Sequence, residues 1–280
     1  MGEDREILRE IWDGRIPISF SLSSDDCCTL SPPDPHYLMV PRMSYFPIVL
    51  DKVKKYFTRS INSDLKIDEI WLDFEGIPLK WNYPIGVLFD LHTGGKTIPW
   101  PLTVHFSNFP EESIIRCRSR FIVLLSCHSI YREAIESHFL AAVKEADAFK
   151  HRGQVVKNMQ MQDHKQLWTG LCNDKFDQFW TINRKLMDCN GEEGFKYIPF
   201  RLFLKDEVPI QRLQKPFGED GSRLTLEDLL KNVLPRTLNE NYRVTIQGIE
   251  PPWDTPLQWL SEHLSHPDNF LYLCVLQSEL

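Results

Sequence analysis

The sequence lacks a net positive charge, a long apolar run and an ordered cysteine pattern. Its 39 acidic residues outnumber 32 Lys and Arg, so the formal charge is -7 and no general attraction for a nucleic-acid backbone exists. The seven cysteines form no Cys-x-x-Cys pair, unlike a secreted disulfide framework or a zinc ribbon. The N-terminus is charged, and no apolar stretch approaches the roughly 20 residues that span a bilayer. We therefore expect a cytoplasmic protein with reduced thiols.

Motifs of common enzyme classes are also missing, including the nucleophile elbow, the phosphate-binding loop, the His-Glu-x-x-His zinc motif and the dinucleotide fingerprint. His263 and His266 are spaced as a ligand pair, but Pro267 follows at once. Capping or surface histidines are therefore the better interpretation. Cys27 and Cys28 lie in a loop without a basic neighbour, which favours ordinary exposed thiols over a thiol enzyme. The sequence predicts no catalytic residue, no cofactor and no metal.

The composition is that of a folded globular protein, with 42% hydrophobic and 25% charged residues. The first segment, residues 3–12, places Ile7, Leu8, Ile11 and Trp12 on one stripe of a short amphipathic helix. Beyond it, changes of apolar period and turn residues predict strands at 15–22, 36–40, 69–74, 79–81 and 102–106, with helices from 44 and at 84–91. This order matches a ubiquitin-like β-grasp.

A second copy of this order follows near the C-terminus. The pattern predicts strands at 197–204, 211–217, 243–249 and 270–276, with helices from 225 and after 255. Short echoes between residues 15–17 and 197–200, and between 78–81 and 256–259, favour a duplication. Thr225 is available as an N-cap for the first of these helices.

The middle of the chain, residues 132–188, has a helical composition. Asp163 followed by Gln166 is predicted to cap one helix, and an aromatic stripe on another indicates core. On the helix at 133–150, the apolar residues share one face and Lys144 points away from it. Short side chains one turn away leave its amine accessible. From the residues alone, Lys144 is an exposed lysine among many.

Several segments of the chain resemble the autophagy protein 5 family nearly end to end. They are residues 51–55, 83–86, 143–148, 163–168, 176–180, 257–264 and 267–271. The resemblance implies an α+β fold with two ubiquitin-like β-grasp domains flanking a helical domain. The corresponding division is an N-terminal helix at 1–12, a first ubiquitin-like domain at 13–109, a linker at 110–132, a helical domain at 133–190 and a second ubiquitin-like domain at 195–280.

The resemblance also implies a function. Lys144 would be the acceptor, through an isopeptide bond, for the ubiquitin-like modifier autophagy protein 12. The conjugate would bind autophagy coiled-coil protein 16 and act E3-like on an E2-like enzyme, promoting transfer of a second ubiquitin-like modifier to phosphatidylethanolamine at the phagophore membrane. Partner contacts are expected at Ile7, Ile11, Trp12 and Gly86, although Trp12 could equally pack on the first ubiquitin-like domain.

Residues 121–131 depart from the family pattern, which runs almost directly from Arg120 into the following helix. The departure begins with five consecutive apolar residues, which on a solvated loop would promote aggregation or the binding of a partner. It leaves open an alternative function, an unconjugated β-grasp adaptor or an inactive isoform.

Deleting residues 121–131 should preserve or raise both solubility and conjugation at Lys144, because the apolar periodicity of the Lys144 helix begins only at Ile135. Thermal unfolding and a conjugation assay on the deletion variant measure this. Loss of cooperative unfolding would show instead that the apolar run is core.

Overall fold

The computed structural model describes residues 2–61, 70–114, 128–189, 194–205, 207–234 and 242–277. The predicted insert lies outside this part up to residue 127. The chain forms two compact units, the first comprising Gly14–Ser137 and the second Met1–Asp13 with His138–Leu280.

The first unit is built on a five-stranded mixed sheet. Its strands are β1 (Arg15–Leu22), β2 (His36–Pro41), β3 (Trp71–Phe74), β4 (Ile77–Pro78) and β5 (Trp100–His105), with helices α2 (Phe46–Phe57) and α3 (Ile85–Thr93). The strand order is β2-β1-β5-β3-β4, and the two central strands β1 and β5 run parallel. This is the predicted β-grasp arrangement. Residues 79–81, however, are not a strand, because the hairpin partner of β3 ends at Pro78.

Alternation along β1 explains how this sheet packs. Ile16, Ile18 and Phe20 are buried on one face, where they join the apolar side of α2 in a single core. The hairpin between β3 and β4 turns at Glu75 and Gly76, with φ of 52° and 80°. Two successive positive φ angles fit a tight two-residue turn, and glycine takes that backbone without strain.

The second unit combines helices with a smaller sheet. Its elements are α1 (Gly2–Trp12), α4 (His128–His151, which begins in the first unit), α5 (Gln154–Asn158), α6 (Met161–Cys172), α7 (Phe176–Met187), β6 (Phe200–Leu204), α8 (Leu226–Val233), β7 (Tyr242–Thr245), α9 (Leu257–Leu264) and β8 (Leu271–Gln277). None of the helices in the described part of the chain is both long and apolar enough to cross a membrane.

The small sheet repeats the central part of the first one. Its order is β6-β8-β7, with β6 parallel to β8 and β7 antiparallel to β8. The predicted strand at 211–217 is wrong, since pairing beside β6 is reduced to one bridge between Leu202 and Ile210. The following segment is largely exposed and contains Pro216, which cannot donate to a ladder.

Helix starts show where local sequence signals were sufficient. Thr225 caps α8 as predicted, and Asp228 completes a reciprocal capping box. Asp163 takes part in the capping of α6 but is not its N-cap, because Gln160 is the N-cap and Asp163, at the third helical position, accepts the backbone N–H of Gln160 at 3.2 Å. The echo between 78–81 and 256–259 is not structural, since the first segment runs from the last residue of β4 into a loop and the second begins α9.

Helix α4 begins earlier than predicted. It starts at His128 instead of residue 133, so residues 128–131 of the predicted insert belong to its first turn. The deletion of 121–131 would therefore also shorten this helix. Its predicted buried face is otherwise confirmed, with Ile135, Phe139, Val143 and Ala146 almost fully buried.

An ionisable side chain is buried where α4 ends. Lys150 is 2% exposed, and its Nζ donates to Asn269 Oδ1 at 3.1 Å and lies 4.4 Å from the centre of the Phe195 ring. Asn269 in turn donates to Asn183 Oδ1 at 2.7 Å. A chain of side-chain hydrogen bonds therefore joins α4, α7 and the loop before β8.

Burial is the main influence on this amine. It lowers the pKa of Lys150 from 10.5 to about 7, although Glu262, Cys189, Asp147 and Asp268 act in the opposite direction. Unfolding returns the amine to water, so between about pH 7 and 10.5 the unfolded chain binds a proton that the folded chain does not hold. Stability therefore rises with pH across this window.

Lys150→Met should remove this pH dependence. Between pH 7.5 and 9, the free energy of unfolding of the wild type should rise by about 2 kcal/mol relative to that of the variant. Chemical denaturation at several pH values measures the difference, with Lys144→Met, an exposed position on the same helix, as the matched control. Parallel curves for wild type and Lys150→Met would contradict the prediction.

Candidate functional site

Lys144 lies on the exposed side of α4, as the sequence predicts. Its neighbour Val143 is 1% exposed, while Lys144 itself and the short side chains of Ala141 and Ala148, one turn away on either side, are exposed. An amine in this position is open to a large reaction partner. The helix gives the local backbone a regular geometry, and the contacts of α4 with neighbouring elements set where that backbone lies.

The acidic residues near Lys144 are engaged elsewhere. Asp147 is fully buried, and its Oδ2 accepts the backbone N–H of Val156 at 2.8 Å. Glu145 is held on the second ubiquitin-like domain, where it accepts from Arg201 Nη2 at 3.0 Å and from Gln211 Nε2 at 2.7 Å. We call these three residues, Glu145, Arg201 and Gln211, the α4 clamp.

The α4 clamp continues into the protein through a chain of polar contacts. Arg201 Nη1 donates to the hydroxyl oxygen of Tyr272 at 2.9 Å, and that hydroxyl donates to Asp268 Oδ2 at 2.6 Å. The guanidinium carbon of Arg201 also lies 3.9 Å from the centre of the Phe270 ring. The exposed carboxylate beside Lys144 is thus connected through Arg201 on β6 to buried Tyr272 on β8 and buried Asp268 in the loop before it.

Burial and neighbouring charges shift the pKa values of the residues in this series of polar contacts. Burial raises the pKa of Asp268, and burial with the neighbouring Asp268 raises the pKa of Tyr272 well above its ordinary value. Burial opposes the charge on Arg201, but Tyr272, Asp268 and Glu145 together still raise its pKa. Arg201 therefore remains charged and can hold Glu145 throughout the physiological pH range.

The N-terminal stripe is only partly available to a partner. Trp12 is 3% exposed, and its ring centroid lies 5.0 Å from that of Phe179 and 6.0 Å from that of Phe176 on α7. The expectation that this ring packs on the first ubiquitin-like domain is corrected in favour of the helical domain. Ile7 and Ile11 are half-buried, and a partner contact there stays a prediction.

Ion pairs support the packing of α1. Arg5 and Arg9 both bond to Asp177 at the start of α7, at 2.8 and 3.0 Å, and these hydrogen bonds lower the pKa of Asp177. Asp4 also lies 3.2 Å from His263 Nε2 on α9. The helix is therefore seated on α7 and α9 within the second unit.

Gly86 is buried in the first unit. A Cβ atom there would lie 3.0 Å from the carbonyl oxygen of Arg42, and the Gly86 N–H donates to that same oxygen at 2.8 Å. Close backbone approach is sufficient reason for a glycine at the start of α3. A partner contact at Gly86 stays a prediction.

Of the two roles expected for the histidine pair, capping or surface, the surface role is wrong. His263 and His266 are 7% and 2% exposed, and His263 Nδ1 lies 2.9 Å from the carbonyl oxygen of Trp259. Within the described ranges, the His, Cys, Asp and Glu side chains form no cluster of three that could hold a metal. Cys28 is exposed as predicted, whereas Cys27 is half-buried.

Sequence reasoning missed the α4 clamp and the burial of Lys150. Arg201 and Gln211 lie 56 and 66 positions from Glu145 along the chain, and no local pattern connects them. Only the burial of Lys150 had a signal in the sequence, because Lys150 falls on the apolar face of α4 that also carries Val143 and Ala146.

Comparison with known proteins follows the same division of the chain. Family models described as the UblA domain, the alpha-helical bundle region and the UblB domain of autophagy protein ATG5 match residues 11–106, 132–189 and 197–275. Autophagy protein 5 of Drosophila melanogaster is 45% identical over 278 residues, covering 98% of each chain. Autophagy-related protein 5 of Caenorhabditis elegans is 32% identical, again over 98% of each.

A solved structure agrees with the fold. The crystal structure of Kluyveromyces marxianus Atg5 matches with a TM-score of 0.76 at 19% identity, over 97% of this chain and 100% of that one. The expected fold, two ubiquitin-like domains flanking a helical bundle, is confirmed. The chain belongs to the autophagy protein 5 family and takes part in autophagy.

Proposed function

We propose that this protein is an acceptor for a ubiquitin-like modifier, autophagy protein 12, and that Lys144 carries the isopeptide bond. The observation that carries the proposal is the exposure of Lys144 in the middle of α4. The two acidic residues that follow it, Glu145 and Asp147, form hydrogen bonds with other parts of the protein. The family motif at residues 143–148 includes this lysine. No catalytic residue of the chain itself is required for the reaction.

The chemistry needs an amine and a thioester. The Nζ of Lys144, after losing a proton to solvent or to the E2-like enzyme, attacks the carbonyl carbon of the modifier's C-terminal thioester. A C–N bond forms, the C–S bond breaks, and the thiolate of the E2-like enzyme leaves. The acceptor contributes an accessible amine on a fixed backbone, which is a contribution of proximity and orientation.

The conjugate would act as an E3-like scaffold. It would bind autophagy coiled-coil protein 16, engage an E2-like enzyme and promote transfer of a second ubiquitin-like modifier to phosphatidylethanolamine during autophagosome formation. The half-buried stripe of Ile7 and Ile11 is our candidate contact for the coiled-coil protein. We place the protein in the cytoplasm, with peripheral association at the phagophore membrane through the complex.

A second candidate function is an unconjugated β-grasp adaptor or an inactive isoform. The extra segment at 121–131, which precedes Lys144 on the chain, favours this alternative. The two candidates differ in one observable, since only conjugation raises the mass of the protein by that of a small modifier.

Lys144→Arg should abolish the higher-mass conjugate without unfolding the protein, because arginine keeps the positive charge and the helix propensity but is not an acylatable amine. Immunoblotting of cells that express the variant, with peptide mapping of the wild-type conjugate, measures this. Lys157→Arg, at an exposed lysine on α5, is the matched control and should leave conjugation unchanged. An unaltered conjugate from Lys144→Arg would move the acceptor elsewhere.

A further inference from the structure

We infer that the α4 clamp positions Lys144 for acyl transfer, with Glu145 and Gln211 as positioning residues that act through the backbone of α4. The inference rests on the proposed function of Lys144 and adds the residues that hold it in place. It assigns a role to a part of the second ubiquitin-like domain that does not contain the acceptor.

The first step is the geometry of the clamp. Glu145 directly follows Lys144 and accepts two hydrogen bonds from residues of another domain, at 2.7 and 3.0 Å. Arg201 Nε also donates to Gln211 Oε1 at 3.2 Å, so the three side chains bond to one another in a closed set. Each of the three side chains therefore contacts the other two.

The second step is the rigidity behind the clamp. The Arg201 side chain is 15% exposed, compared with 43% for Glu145, and its remaining contacts go to buried Tyr272 and to the Phe270 ring. β6, which carries Arg201, pairs along its whole length with β8. A movement of the Lys144 turn away from the sheet would therefore break the charge-assisted bond to an anchored arginine and the bond to Gln211.

The third step connects this rigidity to transfer. A large enzyme that carries a thioester must bring its carbonyl carbon within bonding distance of one amine, and small displacements of the acceptor cost rate. Lys144 has a long flexible side chain, so the position of its Cα sets the reach of the amine. The α4 clamp holds Glu145, the residue next to Lys144, against the second ubiquitin-like domain.

The inference is tested by single-turnover transfer of the modifier from the charged E2-like enzyme to the full-length protein. Glu145→Ala should lower the transfer rate at saturating E2-like enzyme about fivefold, and Gln211→Ala should lower it about twofold. The double variant should be no slower than Glu145→Ala, because both substitutions break the same set of bonds. Glu145→Gln, which keeps an acceptor oxygen, should recover part of the rate.

The matched control is Glu227→Ala on α8. Glu227 is also a glutamate in an ion pair, 2.7 Å from Lys231, with a side chain 45% exposed. This variant should transfer at the wild-type rate. Acetylation of Lys144 by a small soluble reagent, followed by mass spectrometry, should be equally fast in all of these proteins, because the amine is exposed with or without the clamp.

Each remaining outcome has a distinct meaning. Equal transfer rates for Glu145→Ala and Glu227→Ala would overturn the positioning role while leaving Lys144 as acceptor. Slower small-reagent acetylation in Glu145→Ala, in proportion to slower transfer, would also overturn it, because the effect would then be one of exposure. Peptide mapping that finds no modifier on Lys144 of the wild type would overturn the proposed function and the inference with it.

Discussion

The packing of the C-terminal half of α4 against the second ubiquitin-like domain is the contact on which this structure depends. Two carbonyl groups near the end of that stretch, on Phe149 and Lys150, accept backbone N–H groups of Tyr197 and Lys196 just before β6. The Phe149 ring lies edge-on to that of Phe270, with centroids 6.3 Å apart. Backbone, aromatic and polar contacts therefore coincide on one helix.

The exposure of Lys144 follows from this packing. A helix that buries one face completely presents the opposite face to solvent, and the period of the helix decides which residues lie there. Lys144 and Lys150 lie on the same helix in opposite environments, and the difference of six positions is enough to change their roles. One is available for chemistry, whereas the other lies within the contact.

Patterns of local period and caps were enough to predict most of the fold. The alternation of Ile16, Ile18 and Phe20, and the capping of α8 by Thr225, are local properties of the chain. The exposure of Lys144 was predicted for the same reason. Polar contacts between distant residues, such as that of Arg201 with Glu145, leave no periodic trace. The weak pairing at Ile210 likewise depends on tertiary context, which outweighs strand propensity.

The chain connectivity of the second unit has a consequence for how the protein is made. Its first segment, Met1–Asp13, and its last strand, Leu271–Gln277, belong to the same compact unit. Contacts such as that between Asp4 and His263, 259 positions apart, can form only after residue 263 has left the ribosome. The first unit is continuous and can fold during synthesis, while α1 waits for its partners. During translation, the Trp12 ring on the apolar side of α1 therefore lacks the α7 residues that contact it in the folded protein.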